Sequence, residues 1–175
     1  MRKLPLSIAV LAACLSLAAC GGRNAETEGM PQAGLGGQGA MEMLEGTVML
    51  TGSEPVVMVT LRASQGGSVN LTGALRDELA RLSGARIEVH GTMRSEGRRT
   101  MEVMEYRVTS VNGETPYVGV LVRRDGGIWI DGEQPVRLVD VTSDLRSQIG
   151  AKIWVVGPRT ADGVRPQSYG VIREP

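Results

Sequence analysis

The sequence predicts a mainly β protein whose globular part has two similar halves, each with five short strands and one short helix. Short segments rich in Val, Ile, Leu and Thr are separated by Gly-rich turns from residue 44 onwards. The order of three strands, a helix and two strands occurs twice. A local pattern adds to this, because the glycines, the Ile and a Val of 84–91 recur at 150–157.

The first half is read from alternating apolar positions and turn residues. Its strands are predicted at 45–50, 56–61, 68–71, 86–89 and 100–108. A helix is predicted over 74–82, because Leu75, Leu79 and Leu82 recur at helical spacing. Gly84 stands where a helix commonly ends, and a polar loop at 94–99 separates the last two strands.

The second half repeats this order with shorter elements. Its strands are predicted at 117–122, 128–130, 136–139, 152–156 and 168–173. A helix is predicted over 143–149, with Thr142 or Ser143 as its N-cap. Residues 131–135 interrupt the third strand, and 157–167 is predicted as a loop.

The repeated order resembles the OB-fold, a five-stranded Greek-key barrel. The resemblance implies two small OB-like barrels, at 44–112 and 116–175, each with its helix between the third and fourth strands. A single β-sandwich with two short helices is the alternative. Each half is small for a core of its own, so we expect the halves to pack together.

The first twenty residues carry the marks of an export signal. A basic start, Met1-Arg2-Lys3, precedes an apolar stretch, 4–17, that is shorter than the roughly 20 residues of a membrane span. Leu17-Ala18-Ala19-Cys20 resembles the lipobox of bacterial lipoproteins. The resemblance implies that 1–19 is a cleaved signal peptide and that Cys20 carries acyl chains. The alternative is an ordinary signal peptide with Cys20 incidental.

The same resemblance implies a location. Acyl chains on Cys20 would anchor the chain in a membrane, and Gly21, rather than Asp, after the Cys favours the outer membrane, facing the periplasm. Residues 20–40 are Gly-rich without periodicity, which predicts a disordered, flexible tether spanning roughly 25 Å. Within it, 34–39 fits G-x-G-x-x-G, but no strand precedes it and no helix follows, so we predict no nucleotide site.

Composition narrows the function. The net charge of zero argues against nucleic-acid binding. The chain has one His, and no nucleophile lies in a recognisable motif, so we predict no catalytic residues and no enzyme activity. The strand pattern puts Glu88 beside His90, and although such a pair can act as a general base, we interpret it as part of an exposed strand.

Two pairs of methionines suggest a copper-binding site as one hypothesis. Met41 and Met43, and Met101 and Met104, offer soft thioether ligands suited to Cu(I). The chain has no Phe, however, and Met fills gaps in aliphatic cores. We therefore interpret these residues as packing residues and predict neither a metal site nor a cofactor.

Four arginines are the candidate ligand-binding residues. OB-folds bind ligands between the loop after strand one and the loop after strand four. In the second half these loops hold Arg123 and Arg124, and Arg159 and Arg165. Guanidinium groups there would suit phosphate or carboxylate. The alternative is that they are ordinary charges on surface turns.

Two tryptophans are further candidates. Trp129 and Trp154 alternate out of phase with the inward Ile and Val residues, so both should point away from the barrel interior. They could stack on a base or sugar, or cover the seam between the halves. We favour the seam.

These observations predict a lipid-anchored envelope protein with a non-catalytic binding or scaffolding role. Its ligand would be an anionic or saccharide component of the envelope, bound through the second-half loops. The alternative is a structural partner of another envelope protein, joined through an exposed sheet edge or an apolar patch.

Overall fold

The computed structural model describes residues 41–53, 55–94 and 99–175, all within one compact unit. This part of the chain is mainly β, with one sheet closed into a barrel, a second sheet of seven strands and two short helices. The predicted signal peptide, Cys20 and the tether to residue 40 lie outside the described residues. Over the described ranges, no helix is both long and apolar enough to cross a membrane.

The first half is a closed barrel. Its elements are β1 (Met41–Ser53), β2 (Val56–Ala63), β3 (Ser68–Thr72), α1 (Arg76–Ala80), β4 (Arg86–Arg94) and β5 (Thr100–Ser110). The strands follow one another around the barrel in the order β1, β2, β3, β5, β4. The pair of β3 and β5 is parallel, whereas the other pairs are antiparallel. All five predicted strands are present, and β1 begins before the predicted residue 45.

The second half forms a sheet of seven strands. Its elements are β6 (Tyr117–Arg124), β7 (Gly127–Asp131), β8 (Val136–Leu138), α2 (Ser143–Ser147), β9 (Lys152–Val156), β10 (Arg159–Thr160), β11 (Gly163–Val164) and β12 (Ser168–Arg173). Their order across the sheet is β10, β11, β8, β7, β6, β9, β12. The predicted loop at 157–167 is wrong in part, because it contains the β10–β11 hairpin.

Prolines explain why these strands are short. Pro158 separates β9 from β10 and Pro166 separates β11 from β12, and proline cannot donate a ladder hydrogen bond. Pairing nevertheless continues across the gaps. Gln167 N donates to Val156 O at 2.9 Å, and Arg165 N donates to Pro158 O at 3.1 Å. β9–β10 and β11–β12 therefore form one interrupted hairpin, which reaches β8 through the parallel pair Val164–Leu138.

The two halves share a turn geometry after their helices. Gly84 and Gly150 both have positive φ, at 87° and 97°. Gly84 N donates to Val48 O in β1 at 2.9 Å, and Gly150 N donates to Leu121 O in β6 at 2.8 Å. In each half, the glycine after the helix therefore forms a hydrogen bond to the first strand. It does so in a backbone conformation that other residues rarely adopt.

The halves pack together, as their small size predicted. Val156 and Ile172, from β9 and β12, are buried in the core of the first half. Val118 and Trp154 pack against the same core. The second half also has a core of its own, which contains Leu121, Ile130, Leu138, Leu145, Ala151, Ile153, Val155 and Val164.

Candidate functional site

A cleft of about 830 Å³ lies where the two halves meet. One wall is the second part of β5, and the other contains the start of β6, the turn after β7 and parts of β9, β10 and β12. Its charged lining residues are Arg107, Lys152, Arg159, Arg173, Asp131 and Glu133. Three of these cations pair with carboxylates outside the lining. Arg159 is the lining cation that forms no salt bridge with the described residues, so an anion is favoured beside it.

Three lining side chains share one buried carboxylate, that of Glu78 in α1. Lys152 Nζ donates to Glu78 Oε2 at 2.8 Å, and Arg173 Nη1 donates to Glu78 Oε1 at 3.0 Å. Tyr106 Oη donates to Oε2 at 2.5 Å. Lys152 Nζ also lies 4.5 Å from the centre of the Tyr106 ring. Two cations and one carboxylate leave this cluster with excess positive charge facing the cleft.

The cluster changes the proton affinity of its members. Burial acts to raise the pKa of Glu78, but the hydrogen bonds from Lys152 and Tyr106 and the charges of Lys152 and Arg173 outweigh it, so the pKa lies below its ordinary value. Burial, together with the hydrogen bond to the Glu78 carboxylate, raises the pKa of Tyr106 well above its ordinary value. Glu78 is therefore charged and Tyr106 protonated at neutral pH.

This cluster was not predicted from the sequence, although one signal was present. Glu78 follows Leu75 by three residues and precedes Leu79, so it lies on the apolar face of α1. A carboxylate on such a face requires a buried partner. The partners lie 74 and 95 residues later in the chain, and only the tertiary structure identifies them.

Arg159 is the predicted site residue that lines the cleft. It is exposed and forms no salt bridge within the ranges that the structure describes. Arg107, by contrast, pairs with Glu88 at 3.2 Å. A ligand entering the cleft would therefore find the Arg159 guanidinium unpaired, with all its donors available.

The other predicted arginines do not line this cleft. Arg123 is exposed at the far end of β6. Arg124 lies 4.4 Å over the Trp129 ring and 3.7 Å from Asp125. Arg165 pairs with Asp140 at 2.8 Å. Of the four predicted arginines, Arg159 alone lines this cleft, and Arg124 and Arg165 are engaged elsewhere on the second half.

The two tryptophans have different surroundings. Trp129 donates from Nε1 to Arg124 O at 3.1 Å, which holds the ring against the β6–β7 turn. Trp154 packs against the first-half core and lies directly on Gly170, where a Cβ would fall 2.5 Å from Nε1. Trp154 thus packs at the seam between the halves, whereas Trp129 lies at the β6–β7 turn. The interpretation that both tryptophans cover the seam is therefore wrong for Trp129.

No protein-family model matches this chain, and no curated protein or solved structure matches it either. The chemistry of the cleft is therefore the guide to its use. Its cations suit a phosphate, sulfate or carboxylate group. Asp131 and Glu133 can accept hydrogen bonds from hydroxyl groups, and the ring of Tyr117 offers a face for sugar or apolar surface.

Proposed function

We propose that this protein is a lipid-anchored envelope protein whose globular part binds an anionic saccharide without catalysing a reaction. The observation that carries the proposal is the cleft, where cations, hydroxyl-accepting carboxylates and aromatic rings line one space. A charged sugar needs all three, because its anionic group, its hydroxyls and its ring faces are recognised by different side chains.

We further propose that the globular part is a tandem pair of OB-like barrels. Each half begins with three strands and a helix, and the glycine after each helix donates to the first strand of its own half. In this interpretation β9–β10 and β11–β12 are the fourth and fifth strands of the second barrel, interrupted by Pro158 and Pro166. The parallel pair of β8 and β11 corresponds to the parallel pair of β3 and β5.

Binding to a sulfated oligosaccharide such as a heparin fragment, measured by calorimetry, tests the cleft. Arg159→Ala removes an unpaired cleft cation, and Arg165→Ala removes an arginine of the same hairpin that pairs with Asp140. A charge-assisted hydrogen bond contributes about 1.5–3 kcal/mol, so we expect Arg159→Ala to weaken binding roughly tenfold or more. Arg165→Ala should weaken it less than roughly threefold, as expected for an exposed ion pair.

Two results would contradict this role of the cleft. One is equal binding by the wild type and Arg159→Ala. The other is an equal loss in both variants, which would mean that total charge alone drives the association. Measurements at physiological ionic strength keep that contribution small, because the screening length is then about 8 Å.

The anchor is tested separately by metabolic labelling with an alkyne palmitate analogue. The wild type should be labelled and should partition with membranes, since two or three acyl chains hold a protein stably. Cys20→Ser should lose the label and the membrane association. An unlabelled wild-type chain in the soluble fraction would overturn the lipoprotein assignment but leave the cleft measurement unaffected.

A further inference from the structure

Three neighbouring strands of the first barrel place two methionines beside the single histidine. Met43 in β1 and His90 in β4 are register partners, and both alternate outward from the core residues of their strands. Directly opposed residues on one face of an antiparallel pair have Cβ atoms about 5 Å apart. The thioether of Met43 is therefore within reach of the imidazole of His90.

A bulge adds Met104 from the other side. β4 and β5 change register between His90 and Gly91, where His90 pairs with Glu105 and Gly91 with Val103. Met104 is the extra residue of this bulge and is exposed, whereas Val103 is buried. Bulges re-aim side chains, and this one brings a thioether to the outer face next to His90.

These methionines do not fill gaps in the core. Met93 and Met101 are buried and do so, but Met43 is 59% exposed and Met104 63%. Met41, two residues before Met43, is exposed as well. The expectation that the methionine pairs serve packing is therefore correct for Met101 and wrong for Met41, Met43 and Met104.

The hydrogen bond of His90 prepares its ring for a metal. Its Nε2 lies 3.1 Å from Glu88 Oε1, and Arg107 in turn holds the Glu88 carboxylate. A proton on Nε2, donated to Glu88, leaves the lone pair of the imidazole on Nδ1. A carboxylate behind the imidazole is the usual arrangement for a metal-binding histidine, because it sets the tautomer and raises the basicity of the ligand nitrogen.

We propose that Met43, His90 and Met104 form a binding site for one Cu(I) ion. Two thioethers and one neutral imidazole are soft, uncharged ligands, a set that favours Cu(I) over hard cations. The site lies on the outer face of the first barrel, and none of its three ligand residues lines the cleft, although Arg107, which holds Glu88, does. The Cu(I) proposal does not rest on the proposal that the cleft binds a saccharide.

The experiment titrates the full chain with Cu(I) under anaerobic conditions, in competition with a chromogenic chelator. Cys14 and Cys20 are replaced by Ser in every protein, since a free thiol would mask thioether binding. Test variants are Met43→Leu, Met104→Leu and His90→Asn. Met49→Leu is the matched control, because Met49 lies further along β1 and pairs with Thr60, away from His90.

We expect one equivalent of Cu(I) to bind the parent protein. Each test variant should weaken binding by at least about tenfold, since even outer partners of metal ligands contribute about 10–100-fold. Met49→Leu should bind as the parent does. The ¹³C-methyl NMR signals of Met43 and Met104 should shift on addition of Cu(I), or of Ag(I) as a redox-inert probe, whereas that of Met49 should not.

Three results would overturn the site. The first is that the parent protein binds Cu(I) no more tightly than the His90→Asn variant does. The second is that Met49→Leu loses as much Cu(I) affinity as the test variants. The third is that the NMR shifts are confined to the methyl groups of methionines other than Met43 and Met104. Far-ultraviolet circular dichroism of each variant confirms that the barrel is intact, so a loss of binding cannot be assigned to unfolding.

Discussion

Glu78 is the buried charged residue of the described chain, and its environment explains why it is stable there. An isolated carboxylate in an apolar site is strongly disfavoured, but this one accepts hydrogen bonds from a lysine, an arginine and a tyrosine. The donors come from both halves. Glu78 therefore contributes to the junction as well as to the charge of the cleft.

Replacing Glu78 by Gln should destabilise the protein by about 2 kcal/mol, because it leaves Lys152 without a buried counter-charge. Lys152 and Arg173 keep some contact with water, which limits the loss. Urea unfolding measures the difference. Asp77→Asn is the control, since Asp77 is the adjacent residue and 93% exposed, and it should change stability by less than about 0.5 kcal/mol. Equal effects of the two variants would contradict the role of Glu78.

The same carboxylate should make stability depend on acid pH. The pKa of Glu78 in the folded protein lies below its ordinary 4.5, so on acidification the unfolded chain takes up the proton first. Its contribution is therefore present above 4.5 and is lost as pH falls through the lower folded value. The stability difference between the wild type and Glu78→Gln should therefore shrink as the pH is lowered below 4.5. A difference that stays constant would contradict this.

At the level of elements, close backbone contacts shape the barrel. Gly91 lies at the β4–β5 bulge, where a Cβ would fall 2.2 Å from the carbonyl oxygen of Glu102. At Gly157, in the second half, a Cβ would fall 2.0 Å from Arg165 O. The absence of a side chain at both positions allows neighbouring strands to approach closely. The β4–β5 bulge at Gly91 is also the one that exposes Met104.

Gly91→Ala should destabilise the protein by about 3 kcal/mol, because the methyl group would force backbone atoms apart. Gly66→Ala is a useful comparison, since Gly66 has positive φ but open space around its Cβ position. There only the backbone conformation is strained, and we expect about 1 kcal/mol. Thermal or urea unfolding distinguishes the two. A smaller effect at Gly91 than at Gly66 would mean that β4 and β5 can separate without loss.

At the level of the whole molecule, the second half completes the first-half core. Ile172 is almost fully buried among first-half residues, while its neighbour Val171 packs on the second core. One strand therefore serves both cores, and the two halves should unfold together. The salt bridge of Arg81 with Glu174, at 2.8 Å, lies at the same junction.

Ile172→Ala should reduce stability by about 3 kcal/mol, because it opens a cavity in a core that belongs to the other half. Amide hydrogen exchange should show weaker protection in β2, at Val59 and Leu61, as well as in β9. Val171→Ala, on the opposite face of β12, should cost about 1 kcal/mol, since Val171 is only partly buried. Unchanged protection in β2 would show that the halves unfold independently.

Local sequence patterns were enough to predict the two helices, every strand except β10 and β11, the order of these elements and most inward faces. These follow from alternation, helical spacing and turn glycines, which act over a few residues. The sequence also placed Arg159 among the candidate residues, but not the other three cleft cations. Those are ordinary strand residues whose neighbours along the chain give no sign of a ligand.

Contacts between residues far apart in the chain could not be predicted from these local patterns. Glu78 reaches Lys152 and Arg173 because the two halves pack, and Met43 meets His90 because of the β1–β4 register. Strand register depends on pairing between segments far apart in the chain, and a shift of one residue would turn every side chain to the opposite face. The cleft and the methionine–histidine site therefore exist only once the barrel has closed and the halves have joined.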